Sequence, residues 1–128
     1  MIQCDIQDWP IVRMHFHNHP HYDEVIHWLN DCDSLLKRKM PFLLISTFET
    51  HYQFTHDARK KQAMWFKTVK NDLAKYCLGM FRVTEDPTMI AKLQSPAMRK
   101  GMPFQCIAVR DVATAYQQAH KLLQQHGL

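Results

Sequence analysis

Glycine is scarce in this sequence, and the segments that usually separate domains are missing. The 128 residues include three glycines, and no Ser/Pro-rich linker, internal repeat or low-complexity stretch occurs. Hydrophobic residues make up 46% and charged residues 22% of the chain, a balance typical of globular proteins. The sequence therefore predicts a single domain over residues 1–128, because two separate cores would each be small.

Long apolar runs and a secretory signal are also absent. The longest apolar stretch, residues 40–45, is far shorter than the ~20 residues that a membrane-spanning helix needs. The first residues contain no basic segment followed by an apolar run, as a secretory signal would. We therefore expect a cytoplasmic location and no membrane span.

The cysteines lack the spacing of a disulfide scaffold or a zinc site. They are far apart, with no C-x-x-C, and each lies within an apolar pattern. The sequence positions are Cys4, Cys32, Cys77 and Cys106. Their wide spacing and apolar surroundings favour small buried thiols in a reducing compartment.

Motifs that would indicate an enzyme or a cofactor are missing as well. There is no G-x-S-x-G nucleophile turn, no G-x-G-x-x-G and no Walker loop. The net charge of +4 is mild and spread along the chain, so it does not indicate a nucleic-acid partner. We expect a protein that is not an enzyme and holds no cofactor.

Hydrophobic periodicity predicts strands and helices in close succession. Strands are predicted at residues 2–6, 11–17, 42–48, 80–83 and 103–109. Four helices are predicted from residues that start or end helices. The first lies between Pro20 and Pro41, the second between Thr55 and Gly79, the third between Asp86 and Pro96, and the fourth between Asp111 and Gly127. The order β-β-α-β-α-β-α-β-α predicts an α/β domain with one mixed sheet of about five strands. A leading antiparallel hairpin would form its edge, and right-handed crossovers would make the later strands largely parallel.

A run of histidines is the most conspicuous local pattern. His15, His17, His19 and His21 stand at every second position, so in an extended chain they point to one side about 7 Å apart. Neutral imidazoles at this spacing can converge on zinc or copper, which makes the run a candidate metal or small-ligand site. Two further candidates, His51 and His56, follow the central strand.

Two other interpretations of the histidines stay open. No Asp, Glu or Cys is interleaved to complete a site, and Pro20 is expected to end the strand. We therefore predict no metal site, and expect a solvent-facing strand edge followed by a polar loop. A surface that responds to pH is the third interpretation, because histidine titrates near neutrality.

Candidate interaction residues lie on the first two predicted helices. The segment around Met64 and Trp65 is more apolar than one core stripe needs, which predicts a patch for a protein partner or a second copy, with Trp28 as a further candidate. A helix buried on two sides is the alternative. The basic run at residues 59–61 is interpreted as a solvated face, since Asp57 and Asp72 interrupt it.

The order of elements resembles a STAS domain, in particular the SpoIIAA-like branch with SEC14 features. The resemblance rests on the hairpin, the apolar strand at residues 42–48, the stretch from 59–65 to CLGMFRV at 77–83, and the ending PFQ at 103–105 with DVATA at 111–115. It implies a non-enzymatic regulatory or ligand-responsive module that works through protein contacts. The SEC14-like relatives imply a small apolar ligand cavity, which no residue pattern locates here.

The phosphorylation motif of anti-sigma-factor antagonists is absent. Those relatives carry a serine in an Asp-Ser-Ser-Gly type motif after a central strand, whereas this chain has ISTFET at residues 45–50. Ser46 and Thr47 lie at roughly the corresponding position. The phosphorylation switch is therefore not transferred to this chain.

Overall fold

The computed structural model describes residues 2–50 and 52–128. Its elements alternate between strands and helices after an initial pair of strands. They are β1 (Gln3–Asp5), β2 (Ile11–Phe16), α1 (Tyr22–Lys37), β3 (Phe42–Phe48), α2 (His56–Tyr76), β4 (Cys77–Val83), α3 (Pro87–Leu93), α4 (Pro96–Gly101), β5 (Gln105–Val109) and α5 (Val112–Gln125).

The five strands form one mixed sheet in the order β1-β2-β3-β4-β5. β1 pairs antiparallel with β2, and each later neighbour pairs parallel. The predicted α/β class, the leading hairpin and the central position of β3 are therefore confirmed. Each parallel pair is joined through helices, as parallel strands require.

Strand alternation divides the core into two apolar layers. Side chains at every second position point to opposite faces, so Leu44 and Leu43, which are neighbours in β3, belong to different clusters. One layer lies between the sheet and helices α1 and α2, where Val12, Met14 and Phe16 of β2 pack against α1. The other lies under α5, whose Ala115 and Ala119 are fully buried.

The helix count of the prediction is wrong by one. The expected break at Pro96 occurs, but a fifth helix, α4, begins at that residue. The Ser95 hydroxyl caps α4 by accepting a hydrogen bond from the Met98 N–H at 3.2 Å. Proline fits the first helical turn because the N–H that it lacks would have no partner there, so the proline expected to break a helix instead starts α4.

Gly79 does not end a helix, contrary to the prediction. Helix α2 ends at Tyr76, and Cys77 both donates its N–H to the Leu73 carbonyl and begins β4. Gly79 then lies inside β4, where an added Cβ would meet the Gln105 carbonyl oxygen at 3.4 Å. The apolar strand pattern around this glycine therefore outweighs its preference for helix ends.

Three predicted caps are confirmed. The Thr55 hydroxyl accepts a hydrogen bond from the Ala58 N–H at 3.3 Å, and the Asp86 carboxylate accepts one from the Thr88 N–H at 3.0 Å. Asp111 accepts from the Thr114 N–H at 2.7 Å. In the described part of the chain, none of the helices combines the length and apolar character needed to cross a membrane.

Candidate functional site

A cavity of about 460 Å³ lies between the sheet and the helices of its first face. Strands β2 to β5 form its floor, α1 and α2 its opposite wall, and α3 and α4 contribute further side chains. Its volume falls within the range of about 300–1,000 Å³ that small-molecule sites occupy. This cavity is the strongest candidate for a functional site.

The cavity exists because α2 does not pack closely onto the sheet. Although α2 is 21 residues long, only Ala58 and Leu73 of it are buried. Trp65 and Phe66 are half-buried between them and line the cavity together with Leu35 of α1. Most of the remaining lining is apolar or aromatic, so the interior suits a hydrophobic molecule.

Two polar side chains stand together in the floor of the cavity. Ser46 of β3 and Arg82 of β4 are register partners on adjacent parallel strands, so their side chains lie next to each other on the same face. Ser46 is only 2% exposed. Both residues lie towards the carboxyl ends of their strands, where open parallel sheets commonly bind ligands.

The Arg82 side chain has an unusual environment. Its guanidinium carbon lies 3.8 Å from the centroid of the Phe48 ring. Its Nε is buried and has no hydrogen-bond partner within residues 2–50 and 52–128. Burial lowers the pKa of Arg82, while electrostatic interactions with Tyr52 and Asp86 raise it. The guanidinium nonetheless stays charged at any physiological pH, because arginine does not lose its proton in proteins.

Burial further disfavours the charged forms of two other groups that line the cavity. Burial raises the pKa of Tyr52 to about 12, although Arg82 opposes the shift, so the phenol keeps its proton. Burial also raises the pKa of the Cys106 thiol. A thiol of raised pKa is a poor nucleophile, so the cavity offers hydrogen bonding rather than covalent chemistry at Cys106.

The structure separates the four histidines of the N-terminal run. β2 ends at Phe16, so only His15 belongs to the strand, where its Nδ1 lies 2.7 Å from the Thr47 hydroxyl. The Nε2 of His17 instead lies 2.6 Å from the Glu24 carboxylate of α1. His19 has a left-handed backbone with φ 50°, and His21 is the N-cap residue of α1.

The two later histidine candidates are not both described. His51 lies outside the described residues. His56 is the first residue of α2 and is exposed. Among the residues that the structure describes, no three His, Cys, Asp or Glu side chains are placed to hold one metal ion.

The three candidate interaction residues have different environments. Trp28 is 7% exposed, and its indole N–H donates to the sulfur of Met14 at 3.3 Å inside the core. The Trp65 indole N–H donates to the Asp33 carboxylate of α1 at 2.7 Å. Met64 is 59% exposed, so it is the one of the three that lies at the surface.

Comparison of the chain with protein-family models, with curated proteins and with solved structures gave no match.

Sequence reasoning missed Arg82 and the cavity around it. One signal could have indicated the arginine, because period-two alternation in β4 places it on the same face as Met80, within an otherwise apolar strand. No comparable signal indicates the cavity itself, since a residue that lines a void and a residue that fills a core have the same apolar character.

Proposed function

We propose that this chain is a non-enzymatic, ligand-responsive module of the SpoIIAA-like STAS type, which binds a small, mostly apolar molecule in the cavity between its sheet and helices α1 and α2. The observation that carries the proposal is the cavity of about 460 Å³ with its apolar wall. A void of this size removes packing contacts from the side chains around it, and a bound apolar molecule restores them.

The position of α2 supports a regulatory role. Trp65 contacts the cavity, while the preceding residue, Met64, is exposed on the outer surface of the same helix. A ligand that packs against Trp65 therefore acts on the helix that also carries the candidate interaction surface. In this proposal a protein partner or a second copy senses the ligand through α2, in the cytoplasm.

Binding can be tested with the neutral apolar dye N-phenyl-1-naphthylamine. We expect its fluorescence to rise on saturable binding with one site per chain. Met98→Trp adds bulk to a lining residue of α4 and should weaken binding, whereas Met89→Trp changes a residue of α3 outside the lining and should not. Equal dye affinity in both variants and in the unchanged protein would contradict the cavity as the site.

A second measurement needs no substitution. Cys106 lines the cavity, whereas Cys4 is similarly half-buried but is not part of the lining. We expect saturating dye to slow the alkylation of Cys106 by N-ethylmaleimide, mapped by mass spectrometry, and to leave Cys4 unaffected. Equal rates at Cys106 with and without dye would argue against occupation of the cavity.

A further inference from the structure

We propose that the molecule held in the cavity is an amphipathic carboxylate, whose carboxylate group accepts hydrogen bonds from the guanidinium of Arg82 and whose apolar part fills the rest of the cavity. This inference rests on the proposed function, because it names the chemical class of the ligand for the same site.

The charge of the lining is the first reason. Arg82 and Lys92 are its cationic residues, and no aspartate or glutamate is among the described residues that line it. Asp86 acts electrostatically on Arg82, but its carboxylate caps α3 at the Thr88 N–H and forms no ion pair with Arg82 in residues 2–50 and 52–128. The described lining therefore carries a net positive charge, which favours an anion over a neutral or cationic ligand.

The unused donor of Arg82 is the second reason. A buried N–H without a partner costs free energy, and such groups are rare in native proteins. The Phe48 ring lies against the guanidinium, and an aromatic ring attracts the cation but offers no acceptor to the buried Nε. A ligand oxygen at this position would satisfy the donor.

The geometry of the donor suits an anion that presents two oxygens side by side, as a carboxylate does. The Nε–H and one terminal N–H of a guanidinium point in the same direction along one edge of its plane. Two oxygens of a planar carboxylate accept both hydrogen bonds at once. Ser46, the register partner of Arg82, offers a hydroxyl beside the same position.

The apolar part of the ligand can extend along β3, away from the polar pair. Ser46 and Arg82 lie towards the carboxyl ends of their strands, and Phe42 lines the cavity at the opposite end of β3. Ser46 follows Phe42 by four positions along the strand, or about 13 Å of wall. A flexible alkyl chain of medium length, running from the arginine towards Leu36 and Leu73, fits this arrangement.

The test compares decanoate with methyl decanoate, its uncharged ester, both kept below micelle concentrations. Displacement of N-phenyl-1-naphthylamine from the unchanged protein measures each affinity. We expect decanoate to bind about 10-fold to 100-fold more tightly than the ester, as charge-assisted hydrogen bonds of this kind provide. Arg82→Met should remove this preference while keeping ester binding, and Arg110→Met, an exposed arginine outside the lining, should keep the preference.

The outcomes distinguish failure of the carboxylate assignment from failure of the proposed function. Equal affinity for acid and ester in the unchanged protein overturns the carboxylate assignment and leaves the proposed apolar ligand standing. Tighter binding of decyl phosphate than of decanoate also overturns it, in favour of a phosphate group. Failure of the dye to bind at all contradicts the proposed function itself. If Arg82→Met does not fold, the comparison of acid with ester in the unchanged protein still decides the question.

Discussion

The hydrogen bond between Trp65 and Asp33 should couple the two helices that form the wall of the cavity. The Trp65 indole N–H donates to the Asp33 carboxylate at 2.7 Å and thereby joins α2 to α1. Replacing tryptophan by phenylalanine removes the donor, and Asp33→Ala removes the acceptor. Each single variant also changes packing, so the coupling has to be measured with both single variants and the double variant.

The expected magnitude follows from the chemistry and the exposure of the pair. A hydrogen bond to a charged group contributes about 1.5–3 kcal/mol to stability. Both side chains are half-buried rather than buried, which lets water compete, so we expect a coupling of about 1–2 kcal/mol. Asp33→Asn keeps an acceptor oxygen without the charge and should retain about half of that coupling.

Urea unfolding of the unchanged protein, the two single variants and the double variant measures this coupling. Far-UV circular dichroism monitors the unfolding, and the differences in midpoint give the coupling if the urea dependence (the m-value) is the same in all four proteins. Near the unfolding midpoint, 1 kcal/mol corresponds to about 3–6 °C in a chain of this size, so thermal melts provide a second measurement. A coupling below about 0.5 kcal/mol is indistinguishable from additivity. That result would refute the conclusion that this hydrogen bond holds α2 to α1.

Three further predictions concern stability. Gly79→Ala should stabilise the protein by about 0.5–1 kcal/mol in urea unfolding. The new Cβ meets its neighbours at ordinary contact distance, and the unfolded chain loses entropy. A loss of stability would show that β4 cannot accept a Cβ there. Ala119→Leu should lower the free energy of unfolding by about 1–3 kcal/mol through overpacking under α5. Ala113→Leu, at an exposed position of the same helix, should change it little. Equal effects of the two substitutions would contradict the packing of α5 on the sheet. The hydrogen bond with His17 lowers the pKa of Glu24 below its ordinary 4.5, so its stabilisation is complete above about pH 4.5 and is lost as the pH falls through the folded-state pKa. Glu24→Gln should therefore flatten the decline of stability between pH 5 and pH 3, and an unchanged decline would contradict this.

The sheet was predictable because a local hydrophobic pattern indicates its strands. The predicted strand at residues 42–48 coincides with β3, whose apolar run reflects burial on both faces. The caps at Thr55, Asp86 and Asp111 were predictable for a similar reason, since a cap is a contact between residues two or three positions apart. Gly79 misled the prediction because the strand pairings that place it inside β4, with Leu43 and Gln105, are not a local property.

The histidine run shows how spacing alone misleads. Four histidines at every second position share a side only while the chain stays extended, and β2 ends at Phe16. Beyond that residue the backbone turns, and His19 adopts a positive φ. His15 and His17 consequently find different partners, Thr47 on a neighbouring strand and Glu24 on α1. Ligand spacing is informative only when the regular element that sets it persists over every ligand.

The cavity depends on pairings that no single segment encodes. Arg82 becomes a candidate ligand contact because β4 lies beside β3, which puts it next to Ser46, and because α2 stands away from the sheet above them. A charged side chain on the inner face of a strand is costly unless it is paired. Within the described residues Arg82 packs against Phe48 and forms no ion pair, although Asp86 acts on it electrostatically. Replacing Arg82 by an apolar residue should therefore be tolerated or even stabilising if its role were only structural. A carboxylate ligand of the kind proposed above would supply the acceptor that the Arg82 Nε lacks within the described residues.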